Sequence, residues 1–279
     1  MRKPTPLLAL GENLWAKAEF ENPTGSIKDR AARLMLEKAN LPLGSTVIEP
    51  TSGNFGIALA ALCRERGLSC ILVMPDSMSR ERQEMLRALG ARVVLTPGSL
   101  GMTGSMEKAK TLAEEMSGSF LAGQFENPNN PLAHYLTTGP EIWAQTEGKV
   151  DVFVAGVGTG GTLSGVARSL RERKPEVRIV AVEPASSPLL SQGWAGSHSI
   201  QGIGANFVPP LLKDFRIDEI VTVSDTDAFT AAKWLNHQGI PAGISAGANV
   251  QAAMKFAKQG LHTVTLLPDH RNRYTSLGL

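Results

Sequence analysis

Short runs of apolar and β-branched residues alternate along the chain with longer stretches whose apolar positions recur at helical spacing. The runs Leu14–Phe20, Thr46–Glu49, Cys70–Met74, Arg92–Thr96, Val152–Gly156, Arg178–Val182, Ile220–Val223 and Thr263–Leu267 predict strands, each closed nearby by Gly, Pro, Ser or Asp. The stretches Lys28–Ala39, Asn54–Arg66, Ser79–Leu89, Met106–Met116, Gly139–Thr146, Thr162–Arg173, Thr226–His237 and Ala248–Lys258 predict helices. Strands this apolar need cover on both faces, so the alternation predicts an α/β fold whose links are crossovers between parallel strands. Ser224-Asp225-Thr226-Asp227 reads as a capping box, and Gly260 as the stop after a helix ending near Lys258. Gln124–Asn130 is polar and turn-rich and predicts the main crossing between two domains. Pro184–Pro210, with four glycines and little periodicity, is longer than a passive connection.

Composition narrows the partners. The 279 residues carry 28 Lys+Arg against 26 Asp+Glu, so the formal net charge is 28 − 26 = +2. That balance offers no long-range field to a phosphate backbone or an anionic lipid surface, which leaves small molecules as the expected ligands and neither nucleic acid nor membrane as a partner. The longest uninterrupted apolar stretch, Ile57–Cys63, is far below the ~18 residues of a spanning helix, and Met1–Pro6 has no signal-type apolar core; a cytoplasmic location is expected. Cys63 and Cys70 read as buried thiols. His134, His198, His237 and His262 show no ligand spacing, so no metal site is expected.

Four loops could carry chemistry. Asn22–Arg30 is a turn followed by a helix start with Lys28 in the first turn, where the positive helix end disfavours an ammonium and eases access to a neutral amine; the plain alternative is a surface lysine. Glu49–Gly56 follows a strand and opens a helix, and its Thr51, Ser52, Gly53 and Asn54 could form an anion cradle or a simple cap. Gly156–Thr162 suits a phosphate, with Thr159 and Thr162 adding hydroxyls. Gly156, Gly158 and Gly161 also satisfy G-x-G-x-x-G, and Glu183 stands about 20 residues further on, so a dinucleotide reading is open. Gly243–Ala248 joins a turn to a helix, with Ser245 as a neutral donor or a cap.

A lysine, an anion cradle, a phosphate cup and a neutral donor are what pyridoxal phosphate requires of a protein. The ordered motifs Asn-Pro-Thr-Gly-Ser-Ile-Lys-Asp-Arg, Thr-Ser-Gly-Asn, Gly-Thr-Gly-Gly-Thr and Ile-Ser-Ala-Gly-Ala resemble those of the fold-type II pyridoxal-phosphate enzymes, in particular the cysteine synthase (O-acetylserine sulfhydrylase) and cystathionine β-synthase group. The resemblance runs over essentially the full chain. It implies two three-layer α/β/α domains with mostly parallel sheets, of the tryptophan synthase β-like kind: a smaller one over 22–127 bearing Lys28 and the Thr51–Asn54 loop, and a larger one from 1–21 with 128–279 bearing the phosphate cup and Ser245. It also implies pyridoxal 5′-phosphate on Lys28, which then removes the Cα proton. Asn54 would bind the ring oxygen, and Gly158, Thr159, Gly160, Gly161 and Thr162 the phosphate. Ser245 would face the ring nitrogen, Thr51, Ser52 and Gln124 would hold the substrate carboxylate, and Gly202 would line the mouth near the leaving group.

A neutral hydroxyl against the ring nitrogen makes a weaker electron sink, which favours loss of a β-substituent to an aminoacrylate and its replacement over transamination. The implied reaction is β-replacement on serine or an O-activated serine, foremost cysteine from O-acetylserine and sulfide. The alternatives are cystathionine β-synthase-type or other thiol or amine addition, and β-elimination as in serine/threonine dehydratases or cysteine desulfhydrases. A non-catalytic binding protein and a nicotinamide oxidoreductase are further options. A homodimer, and docking of a serine acetyltransferase tail, are partners the resemblance brings with it. Phe55 departs from the usual threonine of the Thr-Ser-Gly-Asn-Thr-Gly loop and is expected to remove a carboxylate donor and add bulk. His270 is expected either to approach the ring or to serve structure.

Overall fold

The computed structural model describes residues 3–51, 53–275 and 278–279. In chain order its first elements are β1 (Leu7–Gly11), β2 (Leu14–Ala18), α1 (Lys28–Ala39), β3 (Thr46–Pro50), α2 (Asn54–Glu65), β4 (Ser69–Pro75), α3 (Arg80–Ala88), β5 (Arg92–Thr96), α4 (Gly101–Glu115) and β6 (Phe120–Leu121). There follow α5 (Asn129–Leu136), α6 (Thr138–Gln145), β7 (Val152–Gly156), α7 (Gly161–Arg171), β8 (Arg178–Pro184), α8 (Leu189–Gln192), β9 (Glu219–Val223), α9 (Asp225–His237), α10 (Ile244–Ala257) and β10 (Thr263–Leu267). They form two compact units, Met1–Ile27 with Asn130–Leu279, and Lys28–Asn129.

The larger unit is built on a six-stranded sheet of order β1-β2-β10-β7-β8-β9, parallel from β2 onward with β1 antiparallel at one edge. Successive residues of a strand face opposite sides, and both sides are dry. Val152, Val154, Val180 and Val182 pack with Ala228, Leu235 and Phe256 from α9 and α10 on one face. Phe153, Ala155, Ile179 and Ala181 pack with Ile142, Leu163, Val166 and Leu170 from α6 and α7 on the other. This double cover is why the strands read as continuous apolar runs. The smaller unit repeats the plan with an all-parallel sheet β5-β4-β3-β6, in which Val47, Leu72 and Met74 meet α1 and α2, while Ile48, Ile71 and Val73 meet α4. Each unit is therefore a three-layer α/β/α sandwich.

Several local features differ from the sequence pattern. β1 and β2 form an antiparallel hairpin instead of a crossover, because β1 is an edge strand with partly exposed residues and no apolar alternation to mark it. Helix α5 begins inside the segment read as a crossing, and α10 begins at Ile244, which draws Ser245 into its first turn. α4 starts at Gly101, ahead of the expected Met106. Ser224 caps α9 as expected, its hydroxyl accepting from Asp227 N at 3.1 Å. Among the described residues no helix is long and apolar enough to cross a membrane.

Residues 24–27 are tied to the last stretch of the chain. Ile27 N donates to Pro268 O at 2.8 Å, His270 N donates to Gly25 O at 3.1 Å, and the Arg273 guanidinium donates to Thr24 O. The turn that leads into Lys28 is thus anchored within the larger unit. A wholly buried lysine supports the same region: Lys17 Nζ donates to Thr5 O and Thr5 Oγ1, each at 2.6 Å, and pairs with Glu141 at 2.7 Å. Thr5 Oγ1 in turn donates to buried Glu19, which also accepts from Asn22 Nδ2 at 2.7 Å. The Lys17 ammonium thus has a carboxylate and two oxygen acceptors, the condition under which its burial is tolerated.

Candidate active site

In an open parallel sheet, ligands bind beyond the carboxyl ends of the strands where the strand order reverses. In the smaller unit that point lies at β3, flanked by β4 on one side and β6 on the other. In the larger unit it lies at β7, between β8 and β10. Both glycine-bearing loops singled out in the sequence leave from these two strands.

In the smaller unit Lys28, half-buried, is the first residue of α1. Beyond β3, Thr51 is buried and its hydroxyl accepts from Gly53 N at 3.3 Å. Thr51 therefore shapes the loop instead of capping the helix: the N-cap of α2 is Gly53, with no side-chain cap, and Asn54 is the first helical residue. No acidic residue occupies the first turn, so the positive end of α2 is left to an incoming anion. Gly56 lets this helix sit close, since a Cβ there would stand 2.9 Å from Thr51 Cγ2. Ser52 lies outside the described residues. Gln124 is buried on the loop after β6, and its backbone N–H and side chain both hydrogen-bond Glu49. Phe55 corrects the expectation of added bulk: its ring is 2% exposed and belongs to the core formed with α1 and β4.

In the larger unit Gly156–Gly161 turns from β7 into α7. A Cβ on Gly158 would stand 2.4 Å from Gly202 O, one on Gly160 (φ +81°) 2.6 Å from Leu212 Cγ, and one on Gly161 2.2 Å from Asn130 Oδ1. Only glycine permits a backbone packed this tightly on one side. Gly160 caps α7 without a side-chain hydrogen bond, and the first turn holds no acid. Around this start stand Thr159, which accepts from Asn130 Nδ2 at 3.0 Å, and Thr162, whose hydroxyl is 3.2 Å from His134 Nε2. Unneutralised N–H groups flanked by two hydroxyls fit a phosphate monoester. Gly202, exposed at φ +93°, reaches this loop through its carbonyl.

Ser245 is the second residue of α10, buried, in a first turn without acidic residues. The turn before it is clamped by the chain's final stretch: Gly243 N donates to Asp269 O at 3.0 Å, and Tyr274 OH donates to Asp269 Oδ2 at 2.6 Å. Four residues on, Asn249 ties helix to sheet, accepting from Gly156 N at 2.7 Å and donating to Leu266 O at 3.0 Å. His270 takes the structural role, its Nδ1 accepting from Asn272 N at 3.1 Å. Glu183 is committed too. Its two oxygens accept from Leu190 N at 2.7 Å and Ser191 N at 3.1 Å, so the acid that a dinucleotide site would need for a ribose instead holds the start of α8.

Glu49, Asn130, His134 and Asn249 escaped the sequence reading as site residues. The one signal available was Glu49 itself, an acid inside the otherwise apolar strand β3. Burial pushes its carboxyl up to about 8, against the lowering pull of hydrogen bonds from Gly123 and Gln124. Cys63 and Cys70 are both buried, and a hydrogen bond with Cys63, followed by burial, drives the Cys70 thiol upward, away from a reactive thiolate. Among the described residues no cluster of His, Cys, Asp and Glu could hold a metal ion.

These parts define an α/β protein whose sheets present uncapped, glycine-lined helix starts suited to an anionic cofactor. A family model described as pyridoxal-phosphate dependent enzyme matches residues 2–268, and the chain belongs to that family of pyridoxal-phosphate-dependent enzymes. Cysteine synthase B of Campylobacter jejuni is 49% identical over 284 residues, covering 99% of this chain and 95% of that protein. A cysteine synthase of Staphylococcus aureus is 48% identical over 276 residues, covering 96% and 89%. The crystal structure of an O-acetylserine-dependent cystathionine β-synthase from Helicobacter pylori matches with a TM-score of 0.91 at 40% identity, covering 98% of this chain and 95% of that one.

Proposed function

We propose that this chain catalyses β-replacement on an O-activated serine, forming cysteine from O-acetylserine and sulfide. The observation that carries the reading is the start of α10, where the buried residue is a neutral serine and the first turn holds no acid. Pyridoxal phosphate, when bound, supplies an electron sink for the charge that develops at the substrate Cα. Ser245 would offer the ring nitrogen a neutral hydroxyl and no carboxylate, a setting that would favour loss of a β-substituent over transamination. Lys28 holds the cofactor through its amine and then takes the Cα proton and returns it. The bare N–H groups of Gly158–Gly161 with Thr159 and Thr162 hold the phosphate, and Asn54 donates to the ring oxygen. Thr51, Ser52 and Gln124 take the substrate carboxylate, and Gly202 borders the leaving-group side.

The likeness to the O-acetylserine-dependent cystathionine β-synthase favours a second reading in which a larger thiol replaces sulfide. We also infer a homodimer working in the cytoplasm; serine acetyltransferase would be a docking partner under the first reading. The test is to load the protein with pyridoxal phosphate, reduce it with borohydride and map the labelled peptide, then supply O-acetylserine with sulfide or homocysteine. Label on the peptide containing Lys28, cysteine as the main product and loss of both in Lys28→Ala are expected. Label elsewhere, or pyruvate as the main product in the presence of sulfide, would overturn the reading.

A further inference from the structure

Behind the start of α7 a buried imidazole stands between two hydroxyls. His134 of α5 is buried; its Nδ1 lies 2.9 Å from Oγ1 of Thr138, the first residue of α6, and its Nε2 lies 3.2 Å from Oγ1 of Thr162, in the first turn of α7. The ring is gripped there, because α5 and α6 are both seated on α7 at glycines. A Cβ on Gly165 would stand 2.1 Å from Pro131 O and 2.9 Å from His134 Cβ, and one on Gly139 would stand 2.4 Å from Ser169 Cβ.

The direction of these hydrogen bonds follows from Thr138. Its hydroxyl has no exposure to solvent, and His134 Nδ1 is its one hydrogen-bond partner among the described residues. A hydrogen on Nδ1 would leave the Thr138 O–H buried without an acceptor, the costly case of an unmade bond. Thr138 therefore donates to Nδ1, the ring carries its hydrogen on Nε2, and Nε2 donates to Thr162 Oγ1. That bond is the one the Thr162 hydroxyl makes among the described residues, so its own hydrogen is left for a further acceptor. Thr159 is supplied in the same way. Its oxygen accepts from Asn130 Nδ2 at 3.0 Å and from Gly161 N at 3.4 Å, which sends its hydrogen elsewhere.

We propose that His134 is the positioning residue for Thr162: by donating from Nε2 into Thr162 Oγ1, it turns the hydrogen of that hydroxyl toward a bound phosphate ester. Thr138, at the far end of the relay, fixes the ring in the form that can do so. This rests on the reading above in which Thr162 holds the cofactor phosphate. A phosphate dianion offers acceptors alone, and a threonine whose oxygen is already occupied meets it as a donor.

The experiment measures dissociation constants for pyridoxal phosphate by equilibrium dialysis in the wild type, Thr162→Val, His134→Leu, His134→Gln and the double variant Thr162→Val with His134→Leu. The link to Lys28 is common to all five. Thr162→Val loses a hydrogen bond to an ionised group and should bind about tenfold more weakly. His134→Leu frees the Thr162 hydroxyl among three staggered positions, of which one faces the ligand, and should weaken binding about threefold or more. In the Thr162→Val background the same change should add almost nothing, because the hydroxyl it orients is gone. His134→Gln, whose amide N–H takes the place of Nε2, should restore binding to near the wild-type value.

If Thr162→Val binds the cofactor as tightly as the wild type, the phosphate role of Thr162 fails and the proposal with it. If Thr162→Val weakens binding but His134→Leu does not, or weakens it equally in both backgrounds, only the role of His134 is overturned. A measurement on the loaded wild type guards against variants that do not fold. Nitrogen–proton correlation spectra with isotope-labelled histidine report which ring nitrogen carries the hydrogen, the His134 ring being identified by its nuclear Overhauser contacts to the methyls of Thr138 and Thr162. A hydrogen on Nε2 with a bare Nδ1 supports the proposal; a hydrogen on Nδ1, or on both nitrogens, overturns it.

Discussion

The buried acid of β3 makes the stability of the protein depend on pH in an unusual direction. Glu49 titrates at an ordinary 4.5 when the chain is unfolded and at about 8 in the native state. Over the intervening 8 − 4.5 = 3.5 units the native state keeps a proton that the unfolded chain has lost. The group's favourable contribution is therefore fully present below 4.5 and is lost as pH rises toward 8. The slope is about 1.4 kcal/mol per pH unit, about 5 kcal/mol at most across the window. Glu49→Gln has nothing to titrate there and keeps an amide that can serve both Gly123 and Gln124. Urea unfolding of the two cofactor-loaded proteins at pH 5, 6, 7, 8 and 9 isolates the effect, since every other titrating group is common to both. The variant should gain on the wild type by roughly one to one and a half kcal/mol with each unit up to about pH 8, then hold a constant advantage. Parallel stability curves from pH 5 to 8 would show that the buried carboxyl is already ionised at pH 5 and refute the reasoning.

Further substitutions probe the framework. Gly158→Ala places a methyl 2.4 Å from Gly202 O, a backbone atom in a segment pinned by Gly204 N donating to Val157 O at 2.9 Å, and should cost about 1–3 kcal/mol and release the cofactor on dialysis. Gly53→Ala, where an added Cβ meets nothing within 4 Å but alanine caps a helix less well than glycine, should cost no more than about 1 kcal/mol in the same urea titration. Lys17→Met removes the buried ammonium that serves Thr5 and Glu141 and should cost about 3–5 kcal/mol. Adding Glu141→Leu should recover part of that loss, and strict additivity in the double-mutant cycle would count against a coupled buried pair.

Much of this architecture is written locally. Alternation of apolar runs and helical spacing marks β7 and β10 to the residue, and the start of α1 at Lys28, because burial on two faces and turn chemistry act over a few neighbouring positions. The glycine loop after β7 was legible for the same reason, and the order of four motifs pointed to the cofactor family. Only the tertiary structure decided the rest. Glu49 meets Gly123 across 74 residues of sequence, and Asn249 meets Gly156 across 93, so no local pattern could announce that an acid in one strand supports the glutamine of another loop, or that an asparagine pins the glycine turn after β7. Phe55 makes the same point from the other side. Its identity suggested a bulky substrate loop, but the direction of a side chain is set by which apolar surface the neighbouring helix and strand leave to be filled, and that surface exists only once α1, α2 and β4 are packed.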